Sequence, residues 1–200
     1  MSALIKFNLH PYSGKKILEI IDELAALRIE VFREYPYLYE GSLEYEKKYL
    51  QIYVQSERSC IWMLETEGKI VGATTCIPLA DESDEFKKDF VQQGYSVDRV
   101  FYFGESIIKK DYRGSKVGPK LFKLREEHAK STIPDLEYTC FAAIERGDHP
   151  MRPEGYRPLD SFWNRLGYQR NDKMKVHYPW RDIGESEETK KTLYYWMKKW

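Results

Sequence analysis

The densest chemistry in this sequence lies between Phe103 and Leu124, FGESIIKKDYRGSKVGPKLFKL. An apolar strand pattern runs into a glycine-containing loop, and the loop opens directly into a helical pattern led by Pro119. Backbone amides in such a loop and in the first helical turn lack internal partners and carry the positive end of the helix dipole. That arrangement suits a phosphate or pyrophosphate, and Arg113, Lys116 and Lys120 add positive charge around it. The plainer alternative is an ordinary strand-to-helix turn in which Gly114 and Gly118 supply only backbone freedom. Upstream, Gly104 interrupts the apolar strand, as at a bulge or a close backbone approach, and Glu105 follows it. A carboxylate there can accept a proton from an alkylammonium, whose ordinary pKa is near ~10.4. The competing reading is a glutamate paired with a nearby Lys or Arg.

Other reactive side chains carry weaker signals. Cys60, Cys76 and Cys140 are far apart, odd in number and without metal-ligand spacing, so they read as reduced, buried thiols. His149 has no spaced partner and reads as a surface or hydrogen-bonding residue. Arg146, Arg152 and Arg157 lie in a long loop, RGDHPMRPEGYRP, and suit an acceptor's carboxylate or phosphate; pairing with Glu145, Asp148 and Glu154 is the alternative. The aromatic run YPYLY, Tyr35 to Tyr39, either lines a pocket or packs as core.

Around these residues, the apolar spacing predicts strands at 3–9, 59–66, 69–79, 99–108, 136–144, 172–178 and 192–198. Helices are expected at 15–33, 43–54, 81–93, 119–130 and 160–166. Ser42 is a candidate N-cap with Glu46 near capping-box distance, and Glu67-Gly68 supplies a hairpin turn. The alternation predicts one α/β domain over 1–200, with a central mixed sheet flanked by helices.

Three local patterns, in order, resemble the GNAT superfamily of N-acetyltransferases. Arg113 to Gly118 resembles its acetyl-CoA loop, R/Q-x-x-G-x-G/A, with Arg113 at the first position, Gly118 at the last and Lys116 at the middle glycine. Ser161 to Tyr168, SFWNRLGY, is similar to the family's A-F-Y-x-x-x-G-F helix. LRIEVFRE, at the end of the first helix, resembles L-R-x-x-V-F. The resemblance implies a mostly antiparallel sheet and acetyl-CoA as co-substrate, with no metal. The cofactor would be held by Arg113, Gly114, Ser115, Lys116, Val117 and Gly118, with backbone groups of Ile107 and Ile108 on its pantetheine arm. It implies Glu105 as general base. The family's usual tyrosine acid is replaced by Trp163, which is expected to pack on the cofactor arm. Tyr35, Tyr37, Tyr156 and Arg157 are the candidate acceptor contacts.

Composition narrows the partners. Lys plus Arg and Asp plus Glu both number 32, so no global field favours nucleic acid or an anionic membrane. The start lacks a signal-peptide core and no apolar run reaches membrane length, so a cytoplasmic protein is expected. The expected reaction is acetylation of a small amine, with a homodimer as the assembly considered. A GNAT-fold module that holds acyl-CoA without turnover is the alternative.

Overall fold

In the computed structural model, which describes residues 5–200, the chain builds eight strands and five α-helices around one sheet. The strands are β1 Asn8–Tyr12, β2 Cys60–Thr66, β3 Lys69–Pro78, β4 Val100–Tyr102, β5 Ser106–Ile108, β6 Tyr138–Ile144, β7 Gln169–Trp180 and β8 Thr189–Lys199. The helices are α1 Ile21–Phe32, α2 Leu43–Gln55, α3 Asp84–Gln92, α4 Gly118–Thr132 and α5 Asp160–Arg165. The sheet runs β1-β2-β3-β4-β6-β8-β7, with β5 also on β3. Every pairing is antiparallel except β4 with β6.

The period-two alternation of the strands divides the core between the two faces of the sheet. Met63, Ile77, Tyr102, Ile107 and Tyr195 face one cluster, which Leu24 and Leu27 of α1 and Leu50 and Tyr53 of α2 complete. Phe101, Phe103, Phe141 and Trp196 face the other, covered by Phe122 of α4. Turn chemistry follows the sequence. Glu67 and Gly68 both have positive φ, as the hairpin requires. Ser42 caps α2 by accepting from the Tyr45 N–H at 3.3 Å. Gly167, at φ +88, ends α5.

Several boundaries differ from the sequence reading. The first strand is Asn8–Tyr12 rather than 3–9, and the first four residues of the chain lie outside those described. The helix expected over 15–33 is a 3-10 segment, Gly14–Glu19, followed by α1. The strand expected over 99–108 is broken in two. From Ile77 back to Thr74 on β3 is three steps, but their partners Tyr102 and Ser106 are four steps apart. The extra residue is a bulge at Phe103–Glu105. The last strands are longer than expected because β7 and β8 pair with each other along most of their length.

Candidate active site

The bulge decides where Glu105 points. Along an uninterrupted strand, Tyr102 and Glu105 would face opposite sides. With one residue inserted, Tyr102, Glu105 and Ile107 share the face covered by α1 and α2. Thr75 pins the bulge: it donates its N–H to Glu105 O (2.9 Å), and its hydroxyl accepts the Glu105 N–H (3.1 Å). Only glycine fits at 104. A Cβ there would stand 2.1 Å from Tyr53 Oη and 2.5 Å from Thr75 Oγ1.

Beyond the bulge the sheet opens. β4 and β6 pair through Tyr102 and Cys140, and the Phe103 N–H donates to Cys140 O at 2.7 Å. After that β5 pairs only with β3, and the rest of β6 only with β8. Bonds from Thr75 N to Glu105 O and from Lys109 N to Val71 O fix which groups face β3. By strand alternation the peptide groups of Ile107 also face β3, while those of Ser106 and Ile108 face the opening. Of the two isoleucines singled out from the sequence, Ile108 therefore presents its backbone to the wedge and Ile107 does not. Arg113 Nε already donates to Ile108 O (2.8 Å), which leaves a second lone pair.

The loop below the wedge leads into α4. Gly114 has φ +74 and Lys116 φ +62, so a lysine occupies a left-handed position that glycine would take more easily. The Arg113 amide is bonded to Lys110 O, and α4 opens with the bond from Leu121 N to Val117 O. The amides of Gly114, Ser115, Lys116, Val117 and Gly118 make no backbone bond among the described residues. Ser115 Oγ is buried there without a partner. An unspent row of donors, an orphaned hydroxyl and a helix N-terminus fit an anionic phosphate group. The Arg113 guanidinium is instead engaged with Glu34, just past the end of α1 (2.7 and 3.1 Å). Gly118 has a packing reason too: a Cβ would meet Phe162 Cζ of α5 at 3.1 Å.

Glu105 forms the floor of a cavity of about 90 Å³ between the sheet and the α1–α2 face. Arg28 enters from α1, Glu46 and Tyr49 from α2, and Phe86 from α3. Tyr37 and Tyr39 come from the segment after α1, and Tyr178 and Trp180 from β7. Gly104, Glu105 and Ala142 contribute from the two sides of the strand opening, so the cavity borders the wedge. Arg28 is buried and ion-pairs with both Glu46 and Glu105. Its Cζ lies 4.5 Å from the Tyr49 ring centre and 5.1 Å from that of Phe32. Burial alone would lower its pKa, but Glu105 and Glu46 outweigh this and hold the guanidinium above its ordinary value. Burial, with Glu105 adding to it, pushes Tyr37 up to about 12; burial also raises Tyr39, Tyr49 and Tyr178, so these phenols stay neutral.

The resulting fold and wedge can be set beside known proteins. The family model of the acetyltransferase (GNAT) family matches residues 23–153. The chain belongs to the GNAT acetyltransferase family. Solved GNAT-like structures cover almost all of it at low identity. Arabidopsis thaliana NAA60 in complex with acetyl-CoA aligns with a TM-score of 0.60 and 13% identity, over 97% of this chain and 98% of the other. An acetyltransferase from Streptococcus agalactiae aligns at 0.58 and 13%, over 97% and 98%. One from Thermus thermophilus aligns at 0.55 and 14%, over 98% and 99%. No curated protein matches the sequence. Acetyl-CoA-dependent acetylation is the chemistry of this GNAT family.

The remaining expected residues fall in different places. Trp163 packs edge-on against Phe141 and Trp196, both ring centres 5.0 Å away. Of the aromatic run, Tyr37 lines the cavity, whereas the Tyr35 ring meets Tyr156 at 4.6 Å in a separate group with His149. Arg157 is exposed, with no ion pair among the described residues. Arg146 is half-buried and tied to Asp182, with Nε on Pro36 O, so it clamps the Tyr35–Tyr37 segment. All three cysteines are free and buried. Burial raises each thiol, Cys60 to about 11.

Sequence reading gave Arg28 and Glu82 no role, and Glu46 only a place near capping-box distance, where the structure pairs it with Arg28. A signal for two of them existed: Arg28 follows Leu24, Ala25 and Leu27 in the buried stripe of α1, and Glu46 precedes Leu50, Tyr53 and Val54 in that of α2. A charge in the apolar phase of a helix marks a buried partner. Glu82, 3% exposed and with Oε1 unpartnered, follows a short 3-10 turn and carried no such phase signal. Among the described residues no cluster of His, Cys, Asp or Glu could hold a metal ion, and no helix is long and apolar enough to cross a membrane.

Proposed function

We propose that this GNAT protein is an acetyl-CoA-dependent N-acetyltransferase for a small amine, with Glu105 as general base, directly or through one water. The observation that carries the reading is the bulge, which delivers Glu105 to the floor of an aromatic cavity at the place where β5 and β6 part. In this reading the amides of Gly114 to Gly118 and the Ser115 hydroxyl hold the pyrophosphate. The backbone groups of Ser106 and Ile108 that face the opening align the pantetheine arm. The bound co-substrate supplies an acetyl thioester. The acceptor's nitrogen forms the new C–N bond, the C–S bond breaks, and the ammonium proton passes to Glu105.

Arg28 keeps the carboxylate in place through the reaction, since Glu46 holds the other side of its guanidinium. The second nitrogen proton leaves to water as the amide forms, and the leaving thiolate takes a proton from water in its place. A thiol of pKa about 8.5 needs little help to leave, and Trp163 cannot supply any.

The test is thiol release from acetyl-CoA against a panel of amines, followed by a pH–rate profile of Glu105→Gln. General-base catalysis is typically worth ~10²–10⁴-fold, so the variant should lose that much kcat at pH 7 with acetyl-CoA affinity nearly unchanged. The deficit should shrink at high pH, where free amine is abundant. Wild-type turnover at pH 7 in the variant would remove Glu105 from the mechanism.

A further inference from the structure

The cavity above Glu105 has a charge and a lining that restrict what it can accept. Its ionisable side chains are one cation, Arg28, and two anions, Glu46 and Glu105, so its net charge is −1 with the phenols neutral. Arg28 is committed to both carboxylates and to the rings of Tyr49 and Phe32. No cation is left over for an acceptor's carboxylate, and a second ammonium would find no second unbalanced anion. One ammonium balances the site.

The rest of the wall is mostly aromatic, with Phe86, Trp180 and Leu193 among its apolar surfaces. The rings offer apolar contact to a flat body and their faces to a cation. The volume, about 90 Å³, is several times the roughly 10–15 Å³ that one water needs, enough for a small ring or short branched chain. From this combination, and resting on the transferase reading above, we infer that the acceptor is a monoamine whose single ammonium sits on a compact, uncharged, apolar body, an aryl-alkyl amine being the best fit. Amino acids, polyamines and peptide N-termini are disfavoured by the same features: the first carry a carboxylate, the second extra cations, the third a backbone too large for the space.

The experiment uses the wild-type chain and saturating acetyl-CoA with four acceptors: 2-phenylethylamine, phenylalanine, spermidine and a tetrapeptide beginning with Met. Thiol release gives kcat/KM, and calorimetry in the presence of CoA gives binding. An unpaired carboxylate against an aromatic wall is costly, so 2-phenylethylamine should exceed phenylalanine by at least about 100-fold in kcat/KM. Glu46→Gln should weaken 2-phenylethylamine binding, because the lining then carries no net charge. Phenylalanine, spermidine or the peptide matching 2-phenylethylamine overturns the inference and leaves the transferase reading standing. Binding of 2-phenylethylamine without thiol release supports the pocket assignment and removes the transferase reading. If 2-phenylethylamine neither binds nor releases thiol, the inference is overturned.

Discussion

Glu82 illustrates how burial dominates a residue's behaviour in this protein. It is almost wholly buried, and burial, opposed by bonds from Ser83 and assisted by nearby Glu105, raises its carboxyl to about 7. The folded state therefore binds a proton more tightly than the unfolded chain, whose carboxyl titrates near 4.5. Stability should fall as pH rises from about 4.5 to 7 and level off above. At about 1.36 kcal/mol per unit the full penalty is about 3 kcal/mol. Glu82→Gln is expected to raise the melting temperature at pH 8 and to lose most of that gain by pH 5; a gain independent of pH would mean Glu82 is not the titrating group. Lys116 gives a second prediction at this scale. Its left-handed φ of +62 suits glycine, so Lys116→Gly should bind acetyl-CoA as well as the parent. Lys116→Val should weaken binding about tenfold, because a β-branched residue resists that conformation by roughly 1–2 kcal/mol. Equal calorimetric affinities for the two variants would mean the loop's conformation does not limit binding.

At the scale of elements, the bulge between β4 and β5 does two things at once. It turns Glu105 to the cavity face, and it ends the pairing of this strand with β6. Both depend on the close approach of Gly104 to Tyr53 and Thr75. Gly104→Ala is expected to cost about 1–3 kcal/mol, the usual range for overpacking. Tyr53→Phe removes the nearer obstacle, so Gly104→Ala should cost less in that background, with Thr75 Oγ1 keeping the recovery partial. Denaturant midpoints of the four variants form a double-mutant cycle; strict additivity would show that the Tyr53 hydroxyl is not what excludes a side chain.

For the whole molecule, the wedge is a place where the sheet lacks backbone partners, so ligand binding there should be felt globally. Acetyl-CoA at about 100 times its Kd should stabilise the fold by about 2.7 kcal/mol, a rise of roughly 5–10 °C for a chain of this size. Hydrogen exchange should slow at Ser106, Ile108 and the Gly114–Gly118 amides, because those donors are unpaired in the fold. A thermal shift with unchanged exchange at these amides would place the ligand elsewhere.

The strand–loop–helix unit, the caps at Ser42 and Gly167, the hairpin turn and the GNAT patterns were all legible before any fold was known. Each is written in short-range spacing, where a few neighbouring residues decide the backbone. The break in the strand beside Glu105 was legible because Gly104 announced an interruption. The length of the first helix was not, since a 3-10 turn keeps nearly the same apolar spacing. The rest came from tertiary contact alone. Arg28, Glu46 and Glu105 come from three elements, and their pairing exists only once α1 and α2 cross the bulged strand. The cavity's walls span Arg28 to Leu193, and the separation of Tyr37 from Tyr35 and Tyr156 follows from how Arg146 and Asp182 clamp the intervening chain. Such contacts join residues from 18 to 110 positions apart on different elements, so no local pattern encodes them; they follow from which faces the folded sheet brings together.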